Sequence, residues 1–150
     1  LDAVAEPDHP LRWLAAAEIA RTYYWDDRCI EAQAPFDLAL AGYASMGREG
    51  DEEAALSRGL LAECLHEVGR LDVAMAEHRR ALAYWEAERP EITVPQQRAH
   101  LELARILVEL GRTTEAEQEY ERVLAVVDPS APDYPSRRHA REELAALRGR

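Results

Sequence analysis

A repeat of 42 residues runs through most of this 150-residue chain. Segments 60–82 and 102–124 align position by position around Gly69 and Gly111, and segment 18–40 is a third copy in the same register. The aligned positions are small or apolar in all three copies: Ile19, Leu61 and Leu103; Ala20, Ala62 and Ala104; Ala32, Ala74 and Ala116; Leu40, Leu82 and Leu124. A repeat of this length predicts a series of similar structural units that stack on one another.

Each copy is predicted to form two helices joined by a tight turn. In the second copy, Leu61, Ala62 and Leu65 are spaced so that they share one face of a helix. Gly69 ends that helix, and a second apolar face follows directly. One hairpin cannot bury its apolar face alone, so neighbouring copies must pack together. The spacing predicts helices over 10–25, 28–46, 51–68, 71–88, 94–110, 113–127 and 135–148.

The repeat carries the pattern A-x-x-L…G-x-x-x-x-A-x-x-x-[FYH]-x-x-[AV]-L, which resembles the tetratricopeptide repeat. The residues that carry it are Ala62, Leu65, Gly69, Ala74, His78 and Ala81, and then Ala104, Leu107, Gly111, Ala116, Tyr120 and Val123. The usual period of that family is about 34 residues. The longer period here is similar to that of the repeats in kinesin light chains and many bacterial regulators. The resemblance implies an all-α, right-handed α-solenoid of three hairpins with a C-terminal capping helix.

The resemblance covers nearly the whole chain, which is therefore predicted to be one domain. The expected parts are repeats at about 10–46, 51–88 and 94–127, and a capping helix at about 135–148. Because the chain starts with Leu1 instead of Met, we expect it to be a segment of a longer protein.

The first copy departs from the pattern at two positions. Asp27 stands where the other copies have Gly69 and Gly111, so its turn lacks a glycine. Pro35 lies inside the second helix of this copy, where a proline removes a backbone hydrogen bond and usually kinks the helix. We expect this hairpin to form, with a second helix that is bent or begins late.

The charged residues of the chain exclude several kinds of chemistry. All 18 basic residues are arginine against 29 acidic ones, which gives a net charge of −11. The chain contains no Lys, so a Schiff-base lysine or a phosphate-loop lysine is impossible. The absence of both Lys and Asn suggests a GC-rich, bacterial genome. The acidic balance argues against nucleic-acid binding, which requires clustered cations.

The sequence contains no indication of a membrane or secretory location. No apolar run approaches the length that spans a bilayer, and the first residues lack the features of a signal peptide. Cys29 and Cys64 are too few to suggest a disulfide framework, so we expect them to be reduced, buried thiols. These features predict a cytoplasmic protein that does not bind membranes.

Candidate catalytic and metal-binding groups are few. His66 lies beside Glu63, Cys64 and Glu67, but a zinc site needs three or four converging ligands. The simpler interpretation is a solvated acidic helix face. No serine lies in a nucleophile-elbow motif. The sequence therefore predicts neither an enzyme nor a cofactor.

The resemblance also implies a concave groove lined by the first helix of each hairpin, and the 42-residue register identifies positions there. The predicted partner-binding residues are Arg21, Tyr24, Trp25, Glu63, His66, Arg98, Arg105 and Glu109. Tyr24 and Trp25 either anchor a partner or lie beneath the following linker. The arginines pair either with carboxylates of a partner or with glutamates of the chain itself. Those candidate glutamates are Glu18, Glu63, Glu102 and Glu109.

The leading functional hypothesis is a non-catalytic scaffold that binds a protein or peptide segment in this groove. It would be the sensing or regulatory part of a larger bacterial protein. The alternative is a homo-oligomerisation module that acts through its ends or its outer face. An exposed apolar surface at the N-terminal end would favour this alternative, because no capping helix precedes segment 10–25.

Overall fold

The computed structural model describes residues 10–88, 94–125 and 133–149, which form seven helices and no strand. The helices are α1 (Pro10–Trp25), α2 (Cys29–Ser45), α3 (Glu52–Glu67), α4 (Leu71–Glu88), α5 (Val94–Glu109), α6 (Thr113–Leu124) and α7 (Pro135–Arg148). All seven predicted helices are present, which confirms the all-α class. Over the same residues, no helix has the length and apolar character that crossing a bilayer requires.

The chain divides into two compact units within α4, after Ala74. In the first unit, α1 packs on α2, and α3 packs on both. Small residues allow these helices to approach closely, and the ring of Tyr43 fills the space between them. The buried cluster consists of Ala16, Ala17, Ala39, Tyr43 and Ala54.

In the second unit, α5 packs on α6, and α7 packs on both. The predicted core positions Ala104, Leu107 and Ala116 are buried there. Only Ala140 and Leu144 of α7 are buried. The exposed residues of α7 are mostly charged, as a capping helix requires. These charged residues are Arg138, Arg141, Glu142 and Arg148.

Each of four helices is followed by a residue with positive φ. This residue is aspartate after α1 and glycine after the other three helices. These residues are Asp27 (φ 56°), Gly47 (φ 67°), Gly69 (φ 79°) and Gly111 (φ 71°). The backbone N–H of Arg28 donates to the carbonyl of Tyr23 at 2.9 Å, and the equivalent bond after Gly69 measures 2.8 Å. This is the hydrogen bonding of a Schellman motif. Asp27 therefore adopts the geometry of the glycine turns, because Asp tolerates positive φ better than most residues.

Pro35 does not delay the start of α2. The helix begins at Cys29, within one residue of the prediction, and continues through Pro35 to Ser45. Phe36 is fully buried directly after the proline. The expectation of a late-starting helix is therefore wrong.

A disulfide bond joins Cys29 at the start of α2 to Cys64 in α3. The two Cα atoms are 4.7 Å apart, within the usual range for a disulfide, and both residues are buried. The expectation of reduced thiols is therefore wrong. The bond depends on the packing of α3 against α2, which brings together residues that lie 35 positions apart in the chain.

Candidate partner-binding surface

The structure places the predicted binding residues in two sets, one in each unit. The first set lies on α1 and α3 and consists of Arg21, Tyr24, Trp25, Glu63 and His66. The second set lies on α5 and consists of Arg98, Arg105 and Glu109. On α1 and α5, Ala17 and Leu101 are buried and are not part of this surface.

Arg21 is held by glutamates of the first unit. Its Nη1 donates to Oε2 of Glu53 at 3.1 Å, and its Nη2 contacts Glu18 on the preceding turn of α1. Burial, which lowers the pKa of the Arg21 guanidinium, is outweighed by the hydrogen bonds to these two carboxylates, so the pKa is raised. Internal pairing is therefore what the structure shows for Arg21. Glu18 was an expected partner and Glu53 was not.

Tyr24 and Trp25 form an aromatic pair at the end of α1. The Tyr24 hydroxyl donates to Oε2 of Glu63 at 2.5 Å, which ties α1 to α3. The two rings meet edge to face, with centroids 5.0 Å apart and an angle of 79° between their planes. Trp25 is 68% exposed, so it is not tucked beneath the linker. The pair therefore presents a large apolar ring at the surface.

Arg105 is the centre of a hydrogen-bond network in the second unit. Its Nε and Nη2 donate to Glu143 of α7, with the closest contact at 2.6 Å, and its Nη1 donates to Glu102 at 2.7 Å. The Tyr120 hydroxyl of α6 also donates to Glu143, at 2.9 Å. One carboxylate of α7 therefore binds both α5 and α6.

The network shifts the pKa of two of its members. The hydrogen bonds to Glu143 raise the pKa of the Arg105 guanidinium, which stays charged. Burial and the neighbouring Glu143 carboxylate raise the pKa of the Tyr120 hydroxyl, which stays protonated and can donate. Arg21 and Arg105 are therefore both bound by carboxylates of the chain itself.

A cavity of about 340 Å³ lies beside this network, at the small end of the range for ligand pockets. It is lined by Arg105, Val108, Glu109, Tyr120, Glu143, Ala146 and Leu147. Two of the predicted residues, Arg105 and Glu109, are therefore part of one pocket. Sequence reasoning missed Glu143 and Tyr120, because α6 and α7 are far from Arg105 along the chain.

The described residues contain no group of three or more His, Cys, Asp or Glu side chains arranged to hold a metal ion. Near His66, the sulfur of Cys64 is bonded to Cys29 and is not available as a thiolate ligand.

Comparison with solved structures identifies the fold of the chain. No protein-family model matches the chain, and no curated protein matches it. Among solved structures, the chain is similar to the nearly identical TPR-like repeats of a putative kinesin light chain from Podosopora anserina. The TM-score is 0.73 and the identity 26%, over 93% of this chain. The chain folds as a tetratricopeptide-like repeat protein.

Two further tetratricopeptide-like structures are similar at lower identity. BtubC from P. vanneervenii matches 99% of this chain with a TM-score of 0.84 and 18% identity. The first TPR of Spaghetti (RPAP3), bound to the HSP90 peptide SRMEEVD, matches 94% of this chain with a TM-score of 0.68 and 17% identity. The chain spans 66% of the kinesin light chain structure, 59% of BtubC and 94% of the RPAP3 repeat. The resemblance to tetratricopeptide repeats is confirmed.

Proposed function

We propose that this chain is a non-catalytic scaffold that binds a protein or peptide segment on the inner surface of its first helices. The observation that carries the proposal is Trp25, a predicted binding residue whose ring is 68% exposed and supported by Tyr24. Exposed tryptophans are typical anchors at protein interfaces. The solved RPAP3 repeat, which has the same fold, is bound to a peptide.

The arginines have a different role in this proposal from the one they would have in a carboxylate-binding groove. Glu53 and Glu143 accept from Arg21 and Arg105, so each guanidinium connects two helices. A partner carboxylate would have to displace a glutamate that is already in place. We therefore assign these arginines to the stability of the surface and Trp25 to partner contact.

Selection of random peptides on the immobilised chain tests the proposal. The selected peptides are expected to lose at least about tenfold in affinity on Trp25→Ala, as a central interface tryptophan does. Ile30→Ala on α2 is the control, since Ile30 is 74% exposed and lies outside the predicted set. Failure to select any peptide, or equal binding by both variants, would contradict the proposal.

The broader setting of the chain stays a prediction. The bacterial origin rests on the absence of Lys and Asn alone, and the single domain rests on the repeat pattern. The cytoplasmic location rested partly on reduced cysteines, and the Cys29–Cys64 bond removes that support because disulfides persist mainly in oxidising compartments.

A second candidate function, self-association, is favoured by the exposed face of α1. Leu11 is 65% exposed and Ile19 is 49% exposed, and both lie on one side of the helix. The residues at the repeat position of Ile19 in the later copies, Leu61 and Leu103, are 4% and 3% exposed. Ile19 therefore belongs to a position that is covered elsewhere in the same chain.

Analytical ultracentrifugation tests this second candidate. We expect the mass to rise above the 16.9 kDa of the monomer as the concentration increases, and Ile19→Glu to keep the chain monomeric. One helix face buries less area than stable dimers require, so the affinity should be micromolar or weaker. Ala145→Glu, on the exposed face of α7, is the control and should associate like the wild type. A wild-type chain that stays monomeric at millimolar concentration excludes the candidate.

A further inference from the structure

The end of α1 combines an exposed tryptophan with acidic side chains. Trp25 is the last residue of the helix, and Asp26 and Asp27 follow it directly. Both aspartates are exposed. We call Trp25, Asp26 and Asp27 the aromatic–acidic corner.

The acidic residues of the corner lie where a helix normally favours cations. The C-terminal end of a helix carries a partial negative charge, which stabilises basic side chains and disfavours acidic ones. The last turn of α1 contains no basic residue. Asp26 and Asp27 therefore add negative charge to an end that is already negative.

The arginine that is closest in sequence to the corner binds groups outside it. Arg28 donates from Nε to Glu31 at 3.1 Å, and its guanidinium lies 4.5 Å from the centre of the Tyr23 ring. Within the described ranges, no side-chain ion pair is formed by Asp26 or Asp27. The corner therefore keeps its negative charge.

We propose that the aromatic–acidic corner binds an arginine or lysine side chain of a basic partner segment. The cation would lie over the ring of Trp25, the aromatic residue that attracts cations most strongly. The surrounding carboxylates would add charge complementarity, which speeds association and selects among partners. The inference rests on the proposed peptide-binding function and names the chemistry of the partner.

An acidic partner fits this surface poorly. The net charge of the chain is −11, so an acidic segment is repelled at long range. The guanidinium groups of Arg21 and Arg105 are already held by carboxylates of the chain. A basic segment meets neither obstacle.

A matched pair of synthetic peptides tests the proposal. One is a short glycine–arginine peptide, and the other replaces each arginine with citrulline, which keeps the shape and removes the charge. Binding is followed by the NMR signal of the Trp25 indole N–H. We expect the arginine peptide to shift this signal and to bind at least about fivefold more tightly than the citrulline peptide.

Two variants and their controls make the test specific to the corner. Trp25→Leu, and separately Asp26→Asn with Asp27→Asn, should each weaken arginine-peptide binding about fivefold. The control Glu49→Gln with Glu88→Gln removes the same charge from exposed positions elsewhere and should have little effect. Circular dichroism establishes that every variant is folded.

Three results would overturn the proposal: equal binding of the two peptides, an unchanged Trp25 signal, or equal weakening by the control. The peptide selection described above separates this failure from failure of the proposed function. If selected peptides depend on Trp25 but tolerate citrulline, the scaffold function stands and the basic partner does not. If no peptide is selected, the scaffold function itself fails.

Discussion

Loss of the Cys29–Cys64 disulfide is expected to lower the free energy of unfolding by about 3–4 kcal/mol. The bond closes a loop across 35 residues, so it restricts the unfolded chain more than a short loop would. Native domains are stable by only about 5–15 kcal/mol in total, so this loss is large. Denaturant titrations with and without a thiol reductant measure it.

The double variant Cys29→Ala and Cys64→Ala is the control for the reductant. Its denaturant midpoint should equal that of the reduced wild type, and adding reductant should not change that midpoint. If reductant leaves the wild-type midpoint unchanged, the bond contributes no stability and this prediction is wrong.

Gly42→Ala is expected to destabilise the chain by about 1–3 kcal/mol, although alanine is the better helix former. A Cβ atom at position 42 would lie 2.0 Å from Cγ and 2.3 Å from Cβ of Trp13. These atoms are close to the backbone of α1, so they cannot move aside without shifting the helix. Equilibrium unfolding of the two chains measures the difference.

Gly59→Ala is the matched control, because it makes the same change inside helix α3. A Cβ atom there would meet nothing within 4 Å, so the variant should be more stable by up to about 1 kcal/mol. If Gly42→Ala lowers the stability and Gly59→Ala raises it, steric overlap and not helix propensity causes the loss at position 42. Trp13→Gly should abolish most of the penalty at Gly42, whereas alanine at position 13 would keep the Cβ atom that lies 2.3 Å away. Destabilisation that persists without Trp13 would contradict this explanation.

The helices could be predicted from the sequence because the repeat supplies the same information three times. Gly69 and Gly111 identify the turns, and the alanine positions identify the packed faces. The first copy then follows from its register even though Asp27 replaces glycine. The turn at Asp27 has the same hydrogen bonding as the glycine turns because aspartate also tolerates positive φ.

Side-chain partners could not be predicted to the same degree. Glu18 and Glu102 lie three residues from the arginines that they bind, so helix periodicity identifies them. Glu53 and Glu143 lie on other helices, and their choice of partner depends on side-chain packing that the repeat does not specify. Glu63, one of the candidate partners of the arginines, accepts from Tyr24.

One feature of the sequence indicates that the two cysteines could meet. Cys29 and Cys64 occupy the repeat positions of Leu71 and Ile106 in the following copies. Both positions are apolar in the later copy, which indicates that these two columns of the repeat alignment hold packed side chains. Two cysteines in such columns should be treated as a candidate bond even where a disulfide framework is absent.

The positive φ of Asp27 implies a trade-off between stability and surface chemistry. Any residue other than glycine gives up some free energy to adopt this conformation, and the other three turns avoid that cost. A glycine at position 27 would relieve the backbone and would also remove a carboxylate from beside Trp25. The first turn thus keeps a carboxylate at a position where backbone stability alone would favour glycine.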